Sequence, residues 1–193
     1  ISVNVLFTNT TNKGLQAIPI WQEHVGLTAY LDAVSAMQKV HTKIVEGTSD
    51  EMICMLEHPP VYTGGTSAKD SDLINIGAIP NHSTGRGGQW TYHGPGQRVY
   101  WLMLDLSKRG RDVRKYVYNL EAWIIDILAS FSIEGQRREG LPGVWVTRAE
   151  TNQRHRMHKI AAIGVRISKW VTMHGVAINL NPDLRAFDGI VPC

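Results

Sequence analysis

Two segments of the chain carry apolar side chains at spacings of three and four residues, which is the pattern of an amphipathic helix. The first covers residues 27–46 and the second residues 111–130. In the second segment, charged side chains such as Arg111 and Glu121 fall outside the apolar stripe. The pattern therefore predicts two helices, each with one buried face.

Shorter apolar runs bounded by turn residues predict strands. The predicted strands are residues 51–57, 98–106, 144–147, 160–168 and 171–180. The last two are expected to form a hairpin around Lys169 and Trp170, and the polar, glycine-punctuated residues 66–85 are expected to form a long surface loop. Strands, then a helix, then more strands predict an α+β fold with a mixed or antiparallel sheet and helices packed on one face.

Length and composition limit the class of protein. The chain has 193 residues, 43% hydrophobic and 19% charged, so we expect one globular domain spanning residues 1–193. A net charge of +3 is too small to indicate nucleic-acid binding, and no run approaches the roughly 18 apolar residues that span a membrane. Two cysteines cannot build a disulfide scaffold, which favours a reducing compartment. Because the chain begins at Ile1 without a targeting segment, we expect a trimmed, soluble, intracellular protein.

Residues 86–97, RGGQWTYHGPGQ, combine polar side chains with four glycines. Without a Cβ, the adjacent Gly87 and Gly88 let a ligand approach the backbone closely. A decorated turn between two strands explains the segment equally well. The segment does not have the spacing of a dinucleotide-binding or P-loop motif.

Two further segments are candidate chemical sites. Lys159 stands at the start of an Ala/Ile strand, where desolvation in a cleft would lower its pKa and make it a proton acceptor, although a lysine at a strand edge is the commoner case. Gly175 interrupts the strand that starts after Trp170, as at a bulge or a close ligand approach.

The two cysteines differ in context. Cys193 follows a proline in a loop-like segment, where a thiolate could be exposed and reactive, whereas Cys54 is expected to be a small core residue. His155 and His158 lie three residues apart, but no second pair has zinc-ligand spacing, so no metal site is predicted.

These segments together resemble the lipoyl(octanoyl) transferase family, whose fold is similar to that of biotin and lipoate ligases. The matching stretches are LEHPPVYT (56–63), RGGQWTYHGPGQ (86–97), LDL (104–106), LPGVWV (141–146), KIAAIGVRI (159–167), VTMHGVAINLNPDL (171–184) and IVPC (190–193). They occur in the family's order over about three quarters of the chain.

The resemblance implies an octanoyltransferase acting in two steps. Octanoyl would pass from acyl carrier protein to Cys193, and from there to a lysine of a lipoyl domain in a 2-oxo acid dehydrogenase or in a glycine-cleavage protein. Lys159 matches the family's active-site lysine. The substrate-binding residues implied are Arg86, Gly87, Gly88, Gln89, Trp90, Thr91, Tyr92, His93, Ala162, Ile163, Gly164, Gly175, Val176 and Ala177. Backbone amides at Gly87, Gly88 and Gly164 are expected to close on the thioester oxygen, with no metal or other cofactor. The expected location is the cytoplasm, or alternatively the mitochondrial matrix.

Charge adds a separate indication. Residues 137–169 contain eight basic side chains and two acidic ones, a local excess of +6 that would steer an acidic carrier protein toward the site. An ordinary solvated loop is an equally good interpretation.

Three features depart from the family pattern. Trp90 stands where a small β-branched or aliphatic residue is usual, and residues 63–66 are richer in glycine and less basic than usual. The chain also stops at Cys193, whereas family members continue, so we expect a truncated or partly ordered chain. Two alternatives stay open: an ATP-dependent lipoate or biotin-type protein ligase, and a non-enzymatic basic binding module.

Overall fold

The computed structural model describes residues 18–147 and 157–191. Its strands are β1 (Ile20–Leu27), β2 (Met52–Glu57), β3 (Val61–Gly64), β4 (Asn81–Ser83), β5 (Trp90–His93), β6 (Gln97–Met103), β7 (Gln136–Arg138), β8 (Leu141–Thr147), β9 (Met157–Ser168) and β10 (Val171–Asn179). Its two α-helices are α1 (Tyr30–Val45) and α2 (Val113–Ser130). Short 3₁₀ helices occupy Asp70–Asp72, Leu106–Arg109 and Leu184–Gly189. No helix in these two ranges is long and apolar enough to cross a membrane.

The strands form a large and a small sheet. The large sheet has seven strands in the order β1-β2-β6-β10-β9-β8-β7, with β1 and β2 parallel and the other neighbours antiparallel. The small sheet has the order β4-β3-β5. The predicted hairpin is present, and Lys169 and Trp170 turn it with φ of 49° and 64°. The mixed sheets confirm the predicted α+β class.

The two helices lie on opposite faces of the large sheet, so the prediction that they share one face is wrong. Cys54 and Trp101 pack in the cluster that contains α1, whereas their chain neighbours Ile53 and Leu102 pack in the cluster that contains α2. Successive strand residues point to opposite faces. Because β2 and β6 are buried on both faces, their apolar runs carry no alternation from which the sequence could place a helix.

Several strands were not predicted. β1 is an edge strand whose side chains are almost all exposed, so it lacks the burial pattern on which the prediction depends. β4 lies within the predicted loop, and β5 lies within the glycine-rich segment that was interpreted as a turn. α1 begins at Tyr30 rather than at residue 27 because Leu27 still belongs to β1.

A buried ion pair fixes the end of β6 against the start of β2. The Glu51 carboxylate accepts two hydrogen bonds from Arg109, at 2.5 Å and 2.6 Å, and a third from the backbone N–H of Asp105 at 2.8 Å. Both charged side chains are largely buried, with exposed fractions of 7% and 11%.

Candidate functional site

A cavity of about 720 Å³ lies along β9 and β10 and is covered by the segment that leads into β5. Its lining includes the following predicted residues: Arg86, Gly87, Gly88, Gln89, Trp90, Thr91, His93, Lys159, Ala162, Ile163, Gly164, Gly175, Val176 and Ala177. Segments that are far apart in the chain thus meet around one space. Their roles toward a ligand remain predictions.

Tyr92 is the exception among the predicted residues. Alternation along β5 places Thr91 and His93 on one face and Trp90 and Tyr92 on the other, and of these four residues Tyr92 alone does not line the cavity. Tyr92 packs beside Tyr62 and Phe187 in the core of the small sheet, with ring centroids 5.5 Å and 5.7 Å away. Its place in the structure is that of a core residue.

The Gly87 amide does not point at the cavity as expected. Its N–H donates to the carbonyl of Val165 at 3.0 Å, which closes the covering segment onto β9. Gly164 provides the space for this contact, because a Cβ there would come within 3.2 Å of the Arg86 side chain. At these positions glycine serves the packing of one segment on another.

Trp90 and Gly64 depart from the family pattern, and in the structure the two residues fit against each other. They are register partners on β5 and β3, and a Cβ on Gly64 would lie 3.0 Å from the indole ring. The indole N–H donates to the carbonyl of Lys69 at 2.9 Å. The large ring thus fills the space over the glycine and ties the loop after β3 to the cavity wall.

Arg86 places a buried guanidinium at the cavity, with 7% of the residue exposed. It donates to the hydroxyl and carbonyl oxygens of Thr63 and to the carbonyls of Gly87 and Gln89. Bonded in this way, the charge is held in a fixed position, as buried charges require.

A chain of buried hydrogen bonds leads from Thr63 across to the lysine strand. The Thr63 hydroxyl contacts His93 Nε2 at 3.2 Å, and His93 Nδ1 contacts the Gln97 side-chain oxygen at 2.6 Å. The Gln97 amide donates to Asn179 at 2.8 Å, and Asn179 donates to the Lys159 carbonyl at 3.5 Å. This chain connects the small sheet to β10 and β9 of the large sheet.

The hydrogen-bond network defines which ring nitrogen of His93 carries the proton. Because the Gln97 nitrogen donates to Asn179 and to the Tyr92 carbonyl, the Gln97 oxygen must accept, and His93 Nδ1 therefore carries the proton. His93 Nε2 is left to accept from Thr63. Burial first, and then the neighbouring His58, lower the pKa of His93 to about 3, which keeps the ring neutral.

Lys159 faces the cavity because of a β-bulge. β8 advances one residue from Val144 to Trp145 while β9 advances two, which makes Ile160 the extra residue. Ile160 packs against the core cluster that contains α2, and Lys159 lines the cavity. Its ammonium lies 4.9 Å from the centre of the Trp145 ring, within the range of a cation–π contact.

The second proposed catalytic residue, Cys193, lies outside the described residues, as do Arg148, Arg154 and Arg156 of the basic segment. The chain just before it is anchored, because Val191 N–H donates to the Asp72 carbonyl at 2.8 Å. Phe187 and Asp188 line the cavity. The segment that leads to the cysteine therefore borders the same space as Lys159.

Several residues that line the cavity or hold its wall were not predicted from the sequence. They include Tyr30, Gln97, Trp101, Trp145, His174 and Asn179. Gln97 closes the glycine-rich motif and His174 precedes Gly175, so both had a signal in the quoted stretches. Tyr30 had none, because it reads as one apolar position among several on α1.

His174 occupies an unusual place on β10. Its φ is +58°, and its backbone N–H donates to the sulfur of Met37 on α1 at 3.1 Å. Regular alternation would place His174 on the face of Val176, but its ring instead lies 5.4 Å from Trp101, on the side of α1. Burial, and then the charges of Arg86 and Arg166, lower the pKa of His174 to about 4.

The fold of the described residues is similar to that of solved lipoate protein ligases. A bipartite lipoate protein ligase from Thermoplasma acidophilum has a TM-score of 0.59 at 14% identity, covering 91% of this chain and 66% of that chain. A lipoate-protein ligase A bound with ATP has a TM-score of 0.58 at 11% identity, covering 90% and 69%. At such identities the likeness concerns the fold alone.

The sequence comparisons define the family. The model of the lipoyl protein ligase A/B catalytic domain matches residues 29–193, and the chain belongs to this family. The octanoyltransferase of Dinoroseobacter shibae is 53% identical over 177 residues, which are 90% of this chain and 80% of that protein. The octanoyltransferase of Caulobacter vibrioides is 53% identical over 178 residues, which are 92% and 78%.

Proposed function

We propose that this protein is an octanoyltransferase of lipoate biosynthesis, which moves an octanoyl group from acyl carrier protein to a lysine of a lipoyl domain. The observation that carries the proposal is the cavity, which brings the glycine-rich segment and the KIAAIG stretch together and has Lys159 at one end. The similarity to octanoyltransferases over most of the chain supports the same activity.

In the first step, the thiolate of Cys193 attacks the carbonyl carbon of the donor thioester. A new C–S bond forms to Cys193, the bond to the phosphopantetheine sulfur breaks, and the released thiolate takes up a proton from the Lys159 ammonium, which leaves Lys159 neutral for the second step. One thioester replaces another, so the barrier depends mainly on positioning and on stabilising the oxyanion. The ammonium of Lys159 would favour the thiolate through its opposite charge.

In the second step, the amine of the acceptor lysine attacks the Cys193 thioester. The amide bond forms, the C–S bond to Cys193 breaks, and the thiolate is regenerated. The attacking nitrogen loses a proton, which neutral Lys159 accepts directly or through the sulfur. The hydrogen-bonded chain from His93 to the Lys159 carbonyl fixes the backbone of this lysine.

The partners follow from the same chemistry. The donor is octanoyl-acyl carrier protein, an acidic partner suited to the basic residues near the cavity. Arg138 belongs to that basic segment, and its guanidinium lies 5.0 Å from the centre of the Trp145 ring, on the cavity wall. The acceptors are lipoyl domains. Because the relatives described above are bacterial, we assign the reaction to the cytoplasm.

Intact mass spectrometry after mixing the protein with octanoyl-acyl carrier protein tests the proposal. We expect one octanoyl adduct that neutral hydroxylamine removes, and no adduct on Cys193→Ser. Cys54→Ser is the matched control and should keep the adduct, because burial raises the pKa of Cys54 to about 11 and leaves it a poor nucleophile.

A second arm separates transferase from ligase. Free octanoate with ATP, in place of the thioester donor, should give no octanoylated lipoyl domain. Product from that mixture that is undiminished in Cys193→Ser would refute the transferase and favour the adenylate-forming ligase. Absence of any adduct with the thioester donor would also refute it.

A further inference from the structure

We infer that His174 limits the length of the acyl chain that the cavity accepts, an inference that rests on the proposed acyl transfer. No part of the sequence analysis assigned a role to this residue. The geometry of its strand and its position in the cavity point to it.

The cavity has two ends along the large sheet. Lys159 and Asn179 line one end, and Val165 with its register partner His174 lines the other. Val165 lies six residues beyond Lys159 on β9; because the bulge at Ile160 takes up one of these residues, five regular steps of about 3.3 Å span about 17 Å along the strand. The reacting carbonyl belongs at the lysine end, so the tail of the chain points toward His174.

The His174 imidazole reaches this end of the cavity through a strained backbone conformation. A non-glycine residue at φ of +58° is strained, and such residues in the interior of a protein are held by their surroundings. Here the sulfur of Met37 accepts the N–H of His174, and the ring is turned into the cavity wall beside Trp101. Only 6% of the residue is exposed.

The length of the available space suits an eight-carbon chain. Three bonds of an extended backbone span about 3.6 Å, so an eight-carbon chain with similar zigzag geometry spans about 9 Å. The chain fits within the interval of about 17 Å and leaves room for the Lys159 and His174 side chains at its two ends. A longer chain would press methylene groups against the polar ring without offering its nitrogens a hydrogen bond.

The test measures acyl-enzyme formation from octanoyl-, decanoyl- and dodecanoyl-acyl carrier protein, with wild type and His174→Ala compared. Removing the ring should admit two more methylene groups, and the ratio of decanoyl to octanoyl rates should rise roughly fifteenfold, since each buried methylene contributes about a factor of four. His174→Gly is the second variant, because glycine takes φ of +58° without strain.

Two further variants give the comparison. His174→Gln keeps the reach and polarity of the side chain and should retain the octanoyl preference. His24→Ala changes a partly buried histidine on β1, away from the cavity, and should match wild type. Ratios that stay at the wild-type value in both folded cavity-enlarging variants would overturn the role of His174, with the transferase intact. No adduct on wild type from any donor would instead overturn the proposed function, and this inference with it.

Discussion

As the pH is lowered, the buried histidines should destabilise the folded protein before they become protonated in the folded state. The pKa of His93 is lowered to about 3 and that of His174 to about 4, from 6.5 in the unfolded chain. His58, which is fully buried, is shifted in the same direction, chiefly by desolvation. Between pH 6.5 and these low values, the unfolded chain binds protons that the folded chain does not. The free energy of unfolding must therefore fall as the pH falls through this window.

The magnitude follows from linkage. At pH 5 a histidine with an unfolded pKa of 6.5 and a folded pKa near 4 or below has lost about 2 kcal/mol of stabilisation relative to pH 7. The result depends little on the folded value as long as it stays below 5. His93 and His174 together should then cost about 4 kcal/mol, a large fraction of the stability of a typical domain.

Urea unfolding at pH 7 and pH 5, followed by circular dichroism, measures the effect. His93→Gln should remove about 2 kcal/mol of the difference between the two pH values, whatever it does to stability at pH 7. His24→Gln, a change on the edge strand β1 and away from the buried histidines, should leave the difference as in wild type. An equal pH dependence in wild type and His93→Gln would refute the reasoning.

Three other substitutions test separate parts of the structure. Glu51→Gln should lower the free energy of unfolding by about 3–5 kcal/mol in urea titrations, because it removes one partner of the buried pair with Arg109. Gly175→Ala should lower the melting temperature strongly and deform the cavity, because a Cβ would collide with the backbone of β6. Trp145→Leu should slow acyl-enzyme formation about fivefold in stopped-flow mass analysis, because a ring near the Lys159 ammonium contributes about 1 kcal/mol.

Each of these three substitutions has a matched control variant. Asp183→Asn breaks an exposed ion pair and should leave the free energy of unfolding nearly unchanged. Gly140→Ala meets no atoms within 4 Å and carries only the strain of φ at +73°, about 1 kcal/mol. Tyr118→Leu removes a surface cation–π contact with Arg137 and should leave the acylation rate unchanged. Equal losses within any pair would contradict the corresponding argument.

The sequence predicted what depends on local pattern. The helical stripes and the hairpin at Lys169 and Trp170 were found because their signals lie within a few residues. The quoted motifs contain Lys159 and most of the residues that line one cavity in the structure, and their roles toward a ligand stay predictions. The faces of the helices were not predictable, because strands buried on both sides show no alternation. Tyr92 was misplaced because a motif quoted as a continuous stretch ignores the two faces of a strand.

Irregular backbone conformations at single residues could not be predicted from the sequence. The bulge at Ile160 and the φ of His174 each depend on partners from other elements, namely β8 and Met37 on α1. Nothing at the level of residue type distinguishes these positions from ordinary strand residues. The chain of hydrogen bonds through Gln97 and Asn179 likewise joins residues 82 apart in sequence.

That hydrogen-bonded chain has a consequence for how the protein opens. The small sheet has strands of only three or four residues and by itself should fray readily. Detaching the small sheet, however, would leave His93 and Gln97 without their hydrogen-bond partners in an interior that water reaches slowly. The amides of β3 and β5 should therefore exchange with deuterium only when the large sheet also unfolds, so that both sheets behave as one cooperative unit.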